Sequence, residues 1–433
     1  MTNILNFIYP NELINNEIIL LDKPHKLKDI IKFVSYYSVN TNSPLFLNQL
    51  FGNTDDLSIL AEQIISEMNT SMYTYEMAPV FTCIEYEITQ QLKKLVGYNE
   101  CDSLFLPGGS ICNITAINTA RYHYFPNIKF TGNNKHLIVL TSDQAHYSID
   151  KACMLLGIGL NNLIKIPTNL EGIIIVDILE DKINQLIKEN KKPFILIATA
   201  CTTVLGAIDP IKELVNICKK YNIWLHIDGA VGGSFIFSEK YKTLLDGINE
   251  VDSFCFNPHK LLNINLQCSI LLTNKKDIFR NSNCIDIAYL FSNDKFYDTE
   301  YDTGNKYFMC GRRPDVFKFW LVWKIRGIKH FTKLIDNIFS KSEYFKSIIR
   351  KKTNFELVLD KNLITVCFKI KKNNKYLDDN KYSELKKKLI ENNIMIPYQK
   401  CKNYGNFFRI CFVNSNCTND HINYLVETII KQI

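Results

Sequence analysis

The chain has 433 residues, more than one ordinary hydrophobic core holds, which predicts one large and one smaller domain. Hydrophobic residues make up 46% and aromatic residues 12%, which predicts a globular protein and excludes a disordered one. The net charge of +7 comes from lysines spread along the whole chain, without a basic run interleaved with aromatics, so we expect a solvated surface and no nucleic-acid partner.

The cysteine pattern and the apolar runs bear on the compartment. Fourteen cysteines are scattered without a CxxC pair, which predicts free thiols in a reducing, cytoplasmic setting. The first twenty residues carry Glu12 and Glu17 and have no basic segment ahead of an apolar block, so we expect no secretory signal. No apolar run approaches the roughly 20 residues needed to span a bilayer, so no membrane partner is expected.

The first clear element is a helical pattern from Leu57 to Met68, with Thr54 or Asp55 as the capping residue. Short apolar runs then alternate with helix-length connections, which is typical of a mainly parallel sheet flanked by helices. The predicted strands are His136 to Leu140, Phe194 to Thr199, Ile223 to Asp228, Ser253 to Asn257 and Cys268 to Leu272. Ligand chemistry is expected at the strand ends of such a sheet.

A glycine-containing segment, Pro107 to Ser110, leads into a helical pattern that runs through Arg121. Backbone amides and the Ser110 hydroxyl would therefore stand at a helix start, where phosphate binds well. The alternative is that the glycines only make a turn.

Two polar positions follow other predicted strands. His146 would either lie flat on a cofactor ring or serve as a capping or core residue, which is the commoner fate of a lone histidine. Thr202 and Thr203 bring hydroxyls to the same sheet edge, where ordinary strand-end hydrogen bonding is the simpler interpretation.

Asp228 and Lys260 give the most specific signal. Asp228 ends a buried strand, and Lys260 follows the next one within Asn257-Pro258-His259-Lys260. An amine that forms a Schiff base and a carboxylate that pairs with a protonated pyridine nitrogen are what a pyridoxal phosphate enzyme requires. The alternatives are an acid bound to the amides of Gly232 and Gly233, and a surface lysine with a buried stem.

After about residue 330 the chain becomes polar and rich in lysine. It contains a strand-like run from Leu363 to Lys369, a helical run near Tyr382 to Glu391, and a closing helix from about Asp420. This predicts a small α+β domain. The predicted division is an N-terminal dimerisation and substrate-contact segment (1–75), a large cofactor-binding domain (76–329) and a small C-terminal domain (330–433).

Together these segments resemble the pyridoxal-phosphate-dependent decarboxylases of acidic amino acids, which comprise animal-type glutamate decarboxylase and cysteine sulfinic acid decarboxylase. The resemblance runs from about residue 43 to the end. Its carriers include Phe46 to Leu50, Tyr75 to Phe81, Pro107 to Ser110, His146 to Ile149, His226 to Asp228, Asn257 to Lys260, Leu266 to Ser269, Tyr289 to Phe291, Tyr301 to Gly304, Cys310 to Arg313 and Phe407 to Arg409. The resemblance implies fold type I, the aspartate aminotransferase-like fold, for the large domain.

The resemblance also implies a role for each matching residue. Lys260 looks like the lysine that holds pyridoxal 5'-phosphate, Asp228 like the partner of its pyridine nitrogen, and His146 and Ala230 like the contacts on the two ring faces. Tyr289 resembles the tyrosine that returns a proton to the α-carbon. The other implied contacts are Ser110, Ile111, Asn257 and His259 toward the phosphate, Thr203 near the phenolic oxygen, and Gln49, Phe51 and Arg409 toward the substrate.

An arginine at position 409 makes chemical sense, because its planar fork pairs both oxygens of a carboxylate or sulfinate. The resemblance therefore implies decarboxylation of cysteine sulfinate or aspartate to hypotaurine or β-alanine. Leu50-Phe51, Leu261-Leu262 and Arg312-Arg313 favour this branch over the glutamate branch, which makes γ-aminobutyrate. The resemblance also implies a homodimer with shared active sites. No metal is expected.

Four positions depart from the family pattern. Gly229 and Val231 replace an alanine and an aromatic, Cys201 replaces a glycine, and Cys112 replaces a serine. Gly229 should be tolerated, but Cys201 would be strained if its position needs a positive φ. A relative that binds the cofactor without turnover stays open as an alternative, as does decarboxylation of aromatic amino acids, which Arg409 disfavours.

Overall fold

The computed structural model describes residues 3–133, 136–285, 295–361, 363–401 and 403–433. Within it the chain forms two compact units. The smaller unit combines Met1–Asn53 with Ile338–Ile433, and the larger unit is Thr54–Asn337. The sequence prediction placed its domain boundaries after residues 75 and 329. The N-terminal segment joins the C-terminal unit because Leu45 and Leu47 are buried in the apolar core of that unit.

The larger unit is built on a seven-stranded sheet. Its strands are β1 (Asp102–Leu106), β2 (Leu137–Ser142), β3 (Leu163–Ile166), β4 (Lys192–Thr199), β5 (Trp224–Asp228), β6 (Ser253–Phe256) and β7 (Ser269–Thr273), in the order β1-β7-β6-β5-β4-β2-β3. Strands β6, β5, β4, β2 and β3 pair in parallel, whereas β7 runs antiparallel to both of its neighbours. The predicted mainly parallel sheet is confirmed.

Helices connect these strands and cover the sheet. In chain order the described helices of this unit are α1 (Asp56–Met68), α2 (Pro79–Val96), α3 (Gly109–Tyr124), α4 (Ile128–Thr131), α5 (Ser148–Leu155), α6 (Val176–Lys188), α7 (Ile211–Tyr221), α8 (Pro258–Leu261), α9 (Ile278–Asn283), α10 (Val316–Arg326) and the start of α11 (Ile328–Ile349), which continues past residue 337. Every residue of β1, β2, β5, β6 and β7 is buried, so both faces of the sheet are covered.

The smaller unit has an antiparallel sheet. Its strands are β8 (Phe355–Leu357), β9 (Thr365–Lys372), β10 (Lys375–Tyr376), β11 (Tyr398–Cys401) and β12 (Gly405–Cys411), with β9 pairing β8, β10 and β12. Its further helices are α12 (Asp379–Glu391) and α13 (Asn419–Gln432), and two others, Pro10–Ile14 and Leu27–Tyr37, precede residue 53. Apolar residues of β9, β12, α12 and α13 form its core. The predicted α+β character is confirmed.

Candidate active site

A cavity of about 250 Å³ lies at the carboxyl ends of the parallel strands of the larger unit. Asp228 ends β5, Asn257 follows β6, and Lys260 lies one turn later in α8, where it is half-buried. All three line the cavity, as does His259. Parallel strands bring their carboxyl ends to one edge, which is why these residues meet although they are distant in sequence.

The remaining predicted cofactor contacts come from three other connections. Ser110 lies in the first turn of α3, His146 follows β2, and Thr203 follows β4. These three and Ala230 also line the cavity. Ile111 follows Ser110 in the sequence, but its side chain packs against the apolar core of this unit.

A larger cavity of about 700 Å³ lies elsewhere in the same unit. It is lined by residues such as Lys93, Asp102 and Arg280, and it does not contain the strand-end amine and carboxylate. Asp102 begins β1, a strand that runs in the same direction as the parallel strands. This residue therefore lies at the amino ends of the strands and not at their carboxyl ends. Size alone therefore does not identify the site, and the chemistry favours the smaller cavity.

Both oxygens of Asp228 are hydrogen-bonded, and the Cys255 thiol lies 3.9 Å from Oδ1. The backbone amide of Ala230 donates to Oδ1 at 3.1 Å, and the Asn113 side chain donates from Nδ2 to Oδ2 at 2.8 Å. The amides of Gly232 and Gly233 donate instead to the carbonyl oxygens of Ala200 and Gly229. The alternative in which Asp228 binds the glycine turn is therefore wrong.

Sequence reasoning missed Asn113. Asn113 is buried in α3, and its Nδ2 also lies 2.9 Å from Ser148 Oγ, which in turn lies 2.9 Å from His146 Nδ1. One amide thus links the carboxylate to the histidine. Its place one turn after Gly109 in a helix aimed at the cavity was the available signal, but an asparagine inside a helix gives no sign of its distant partners.

Burial sets the charge state of two histidines. Loss of solvent lowers the pKa of His146, although the Asp228 carboxylate opposes this shift. Burial lowers the pKa of His259 to about 4, although a hydrogen bond with the backbone of Cys268 opposes this shift. Both imidazoles are therefore neutral near pH 7.

Two buried polar atoms in the cavity wall have no hydrogen-bond partner in the described part of the chain. Among the described residues, Asn257 Oδ1 and Thr199 Oγ1 are buried and have no hydrogen-bond partner. Buried polar groups of this kind are normally satisfied by protein, water or a bound molecule. At Gly109 an added Cβ would lie 3.2 Å from Asn257 Nδ2, so the glycine keeps the helix start open beside this amide.

Thr202 and Thr203 have different surroundings. Thr202 Oγ1 accepts a hydrogen bond of 3.0 Å from the Ala207 amide, so this hydroxyl makes the predicted strand-end contact. Thr203 is exposed and lines the cavity. The preceding residue, Cys201, has φ 75°, and its backbone thus takes the left-handed conformation that the sequence prediction named as a source of strain.

Three predicted substrate contacts belong to the smaller unit. Arg409 is buried in β12, and its Nη2 donates a hydrogen bond of 3.4 Å to the carbonyl oxygen of Asn48. The next residue, Gln49, is exposed, and the Phe51 ring lies 6.1 Å from that of Phe46. Arg409 therefore lies against the segment that carries both other contacts. Tyr289 lies outside the described residues.

Comparisons with known proteins identify the family. The conserved domain of pyridoxal-dependent decarboxylases matches residues 15–371. The human acidic amino acid decarboxylase GADL1 is 36% identical over 422 residues, which cover 94% of this chain and 81% of the human protein. The mouse GADL1 is 38% identical over 418 residues, covering 93% of this chain and 76% of that protein.

The chain belongs to the pyridoxal-dependent decarboxylase family. The crystal structure of mouse CSAD has the same fold, with a TM-score of 0.92 and 35% identity over 99% of this decarboxylase and 93% of the mouse chain. The protein is therefore a pyridoxal-phosphate-dependent carboxy-lyase of fold type I, as the resemblance implied.

The cavity of this decarboxylase fits the cofactor. Lys260 supplies an amine, Asp228 a carboxylate, and the start of α3 supplies backbone amides and the Ser110 hydroxyl. The unpartnered Asn257 Oδ1 and Thr199 Oγ1 give further polar contacts. This donor set matches a molecule with an aldehyde, a basic ring nitrogen and a phosphate.

Proposed function

We propose that this decarboxylase acts on an acidic amino acid, with cysteine sulfinate or aspartate as the favoured substrate and hypotaurine or β-alanine as the product. The observation that carries the proposal is that Lys260, Asp228 and His146 line one cavity at the strand ends. The relatives named acidic amino acid decarboxylase support the substrate class.

When bound, pyridoxal phosphate supplies an electron-withdrawing ring that stabilises the charge left on the α-carbon as carbon dioxide departs. The residues of the chain hold and protect this chemistry. We assign Lys260 to binding the cofactor covalently, and the Asp228 carboxylate to keeping the pyridine nitrogen protonated. His146 and Ala230 hold the two faces of the ring.

Proton delivery to the product is assigned to Tyr289. A phenol is a suitable acid for this step when water is excluded, because the proton then reaches the α-carbon from one fixed donor. The assignment rests on the family resemblance, since Tyr289 lies outside the described residues.

Arg409 is assigned to the acidic group of the substrate. Its side chain is buried and charged, and a guanidinium pairs both oxygens of a carboxylate or sulfinate. Gln49 and Phe51, which follow the backbone carbonyl that Arg409 contacts, are assigned to the same substrate group. Together these residues would favour acidic over aromatic amino acids.

The homodimer, the shared active sites and the cytoplasmic setting are part of the same proposal. Two large apolar side chains of the 75–81 segment, Met77 and Val80, are exposed in the single chain, at 48% and 64%. A second copy that covers them is the simplest explanation for this exposure. Among the described residues no helix is long and apolar enough to cross a membrane.

The test is to incubate the cofactor-loaded protein separately with cysteine sulfinate, aspartate, glutamate and tryptophan, and to measure carbon dioxide and the mass of the amine. We expect hypotaurine or β-alanine. γ-Aminobutyrate as the main product would assign the enzyme to glutamate, and tryptamine would overturn the acidic substrate class. If no carbon dioxide is released while the cofactor is bound, the protein is a binding relative without turnover.

A matched pair of arginine variants tests the substrate assignment. Arg409→Gln should lower kcat/KM for the acidic substrate by about 100-fold or more, because a buried charge partner of the substrate is lost. Arg350→Gln, on an arginine of the same unit that pairs with Asp360 at the surface, should leave kcat/KM unchanged. Equal effects of the two variants would contradict the role of Arg409.

A further inference from the structure

A continuous set of buried hydrogen bonds runs through the Asn113 side chain. Its Nδ2 lies 2.8 Å from Asp228 Oδ2 and 2.9 Å from Ser148 Oγ, and its Oδ1 lies 3.1 Å from His226 Nε2. All four side chains are at least nine-tenths buried. A single amide therefore contacts a carboxylate, a hydroxyl and an imidazole away from solvent.

The carboxylate fixes the orientation of the amide. An ionised carboxylate only accepts hydrogen bonds, so the Asn113 Nδ2 atom must face Asp228 and the Oδ1 atom must face His226. The carbonyl oxygen Oδ1 in turn requires a donor. His226 Nε2, at 3.1 Å, and the Cys255 thiol, at 3.8 Å, both lie within reach of this oxygen, and the shorter contact assigns a proton to His226 Nε2.

The hydrogen bonds on the other side of the His226 ring give the same assignment. Trp224 Nε1 lies 2.7 Å from Ser253 Oγ, and an indole nitrogen can only donate. The Ser253 hydroxyl accepts that bond, and its own proton is then directed to His226 Nδ1 at 2.8 Å. His226 Nδ1 thus accepts from Ser253, and a proton on Nε2 agrees with the assignment from Asp228.

The second N–H of the amide leads toward the cavity. Ser148 Oγ accepts it and directs its own proton to His146 Nδ1, at 2.9 Å. The backbone amide of Ser148 also donates to this atom, at 3.2 Å. His146 Nδ1 therefore accepts from two donors, and the neutral ring must carry its proton on Nε2.

We propose that Asn113 is a positioning residue: its amide orients the Asp228 carboxylate and, through Ser148, fixes His146 as the neutral tautomer with the proton on Nε2. The inference deepens the proposed function, since it rests on the cofactor roles of Asp228 and His146. In this arrangement the ring presents one N–H donor at Nε2, and the lone pair on Nδ1 is occupied by the two hydrogen bonds from Ser148. The lowered pKa of the buried His146 agrees with a neutral ring.

Three variants separate the hydrogen bond to Asp228 from the link to His146. Asn113→Asp keeps the shape of the side chain but removes both N–H donors, and Asn113→Ala removes them without adding charge. Ser148→Ala removes only the side-chain link to His146. Asn118→Asp is the matched control, because Asn118 lies on the same helix and contacts Arg121 and Asn283 outside the cavity.

The first readout is the dissociation constant of pyridoxal phosphate, measured without any amino acid substrate. We expect both Asn113 variants to bind about 10- to 100-fold more weakly, the effect of losing a hydrogen bond to a charged group. Ser148→Ala and Asn118→Asp should stay within about threefold of the unmodified protein. Circular dichroism of the cofactor-free proteins checks that each variant folds.

The second readout is the tautomer of His146, from nuclear magnetic resonance of histidine-labelled protein, with His146→Gln identifying the signal. We expect a proton on Nε2 in the unmodified protein. Asn113→Ala should alter this signal when Ser148 is present and leave it unaltered in the Ser148→Ala background, because the effect passes through Ser148. A proton on Nδ1 in the unmodified protein, or equal effects in both backgrounds, would overturn the inference.

Asp228→Asn distinguishes failure of the inference from failure of the proposed function. If Asp228→Asn leaves cofactor binding unchanged, the proposed role of Asp228 is wrong and the inference falls with it. If Asp228→Asn weakens binding while both Asn113 variants bind like Asn118→Asp, the role of Asn113 alone is overturned. Weakened binding in both sets, with the expected tautomer behaviour, supports the inference.

Discussion

Asn113 and Asp228, which are 115 positions apart in the sequence, are joined by a buried hydrogen bond of 2.8 Å. The bond ties the first turns of α3 to the end of β5, so the orientation of the carboxylate depends on how closely this helix and this strand pack. Close packing continues around Asp228, where glycines and one strained cysteine follow the ends of β5 and β4. Substitutions at these small positions therefore test the site without touching its charged groups.

Gly229→Ala should destabilise the protein, although the family pattern has an alanine there. A Cβ at this position would lie 2.6 Å from Phe254 Cε2 and 2.7 Å from the carbonyl oxygen of Cys255, and the backbone atom cannot move aside cheaply. We expect a loss of about 1–3 kcal/mol in thermal or urea unfolding. Gly311→Ala is the control, since its nearest neighbour, Ser71 Oγ, is 3.5 Å away. An unchanged stability would mean that the turn relaxes.

At position 201 a glycine variant should be more stable than an alanine variant, which is the reverse of the usual order of stability. Its φ of 75° costs about 1–2 kcal/mol for a residue with a Cβ and almost nothing for glycine. Because both replacements lose the thiol, Cys201→Gly should be more stable than Cys201→Ala by about 1 kcal/mol. The comparison is made by urea unfolding, and a more stable alanine variant would show that the strain is absent.

Asp55→Ala should release the start of α1. Asp55 Oδ1 accepts a hydrogen bond of 2.9 Å from the Leu57 amide, and Oδ2 lies 2.6 Å from Arg326 Nε. We expect a loss of about 1–3 kcal/mol from the cap and the ion pair together. Asp55→Asn retains the cap and loses the charge, so its effect on the thermal midpoint should be intermediate. Equal losses in both variants would assign the whole effect to the ion pair.

His259 should make the protein less stable as the pH falls from about 6.5 to about 4. Its pKa in the folded chain is about 4 because of burial, so between these values the unfolded chain takes up a proton and the folded chain does not. The difference of about 2.5 pKa units corresponds to about 3 kcal/mol, fully lost below the folded pKa. His259→Gln should flatten this part of the pH dependence of urea unfolding.

Much of the fold was predictable because its signals are local. Apolar runs bounded by turn residues marked β2, β4, β5, β6 and β7, and the helix predicted from Leu57 to Met68 begins at residue 56 behind the cap Asp55. The strand β1 was missed because Asp102 and Ser103 interrupt its apolar pattern, although both are buried. The strand β3 was missed because it has only four residues, and only the first and last of them are buried.

The candidate site was predictable only in part, for a physical reason. Residues that end strands could be placed at one sheet edge from topology alone, which brought Asp228, Lys260 and His146 together. The partners of a buried polar group, in contrast, come from distant segments, as His226 and Asn113 show. The backbone conformation of Cys201 was also beyond the sequence. The sequence predicted strain only if this position has a positive φ, and the structure established that φ is positive.

The measurement that tests the central claim most directly is to reduce the cofactor-loaded protein with borohydride, digest it, and locate the added mass by mass spectrometry. We predict one pyridoxyl group per chain, on Lys260, and its loss from that position in Lys260→Ala. A pyridoxyl group on another lysine of the unmodified protein, or none at all, would contradict the assignment of this cavity as the cofactor site.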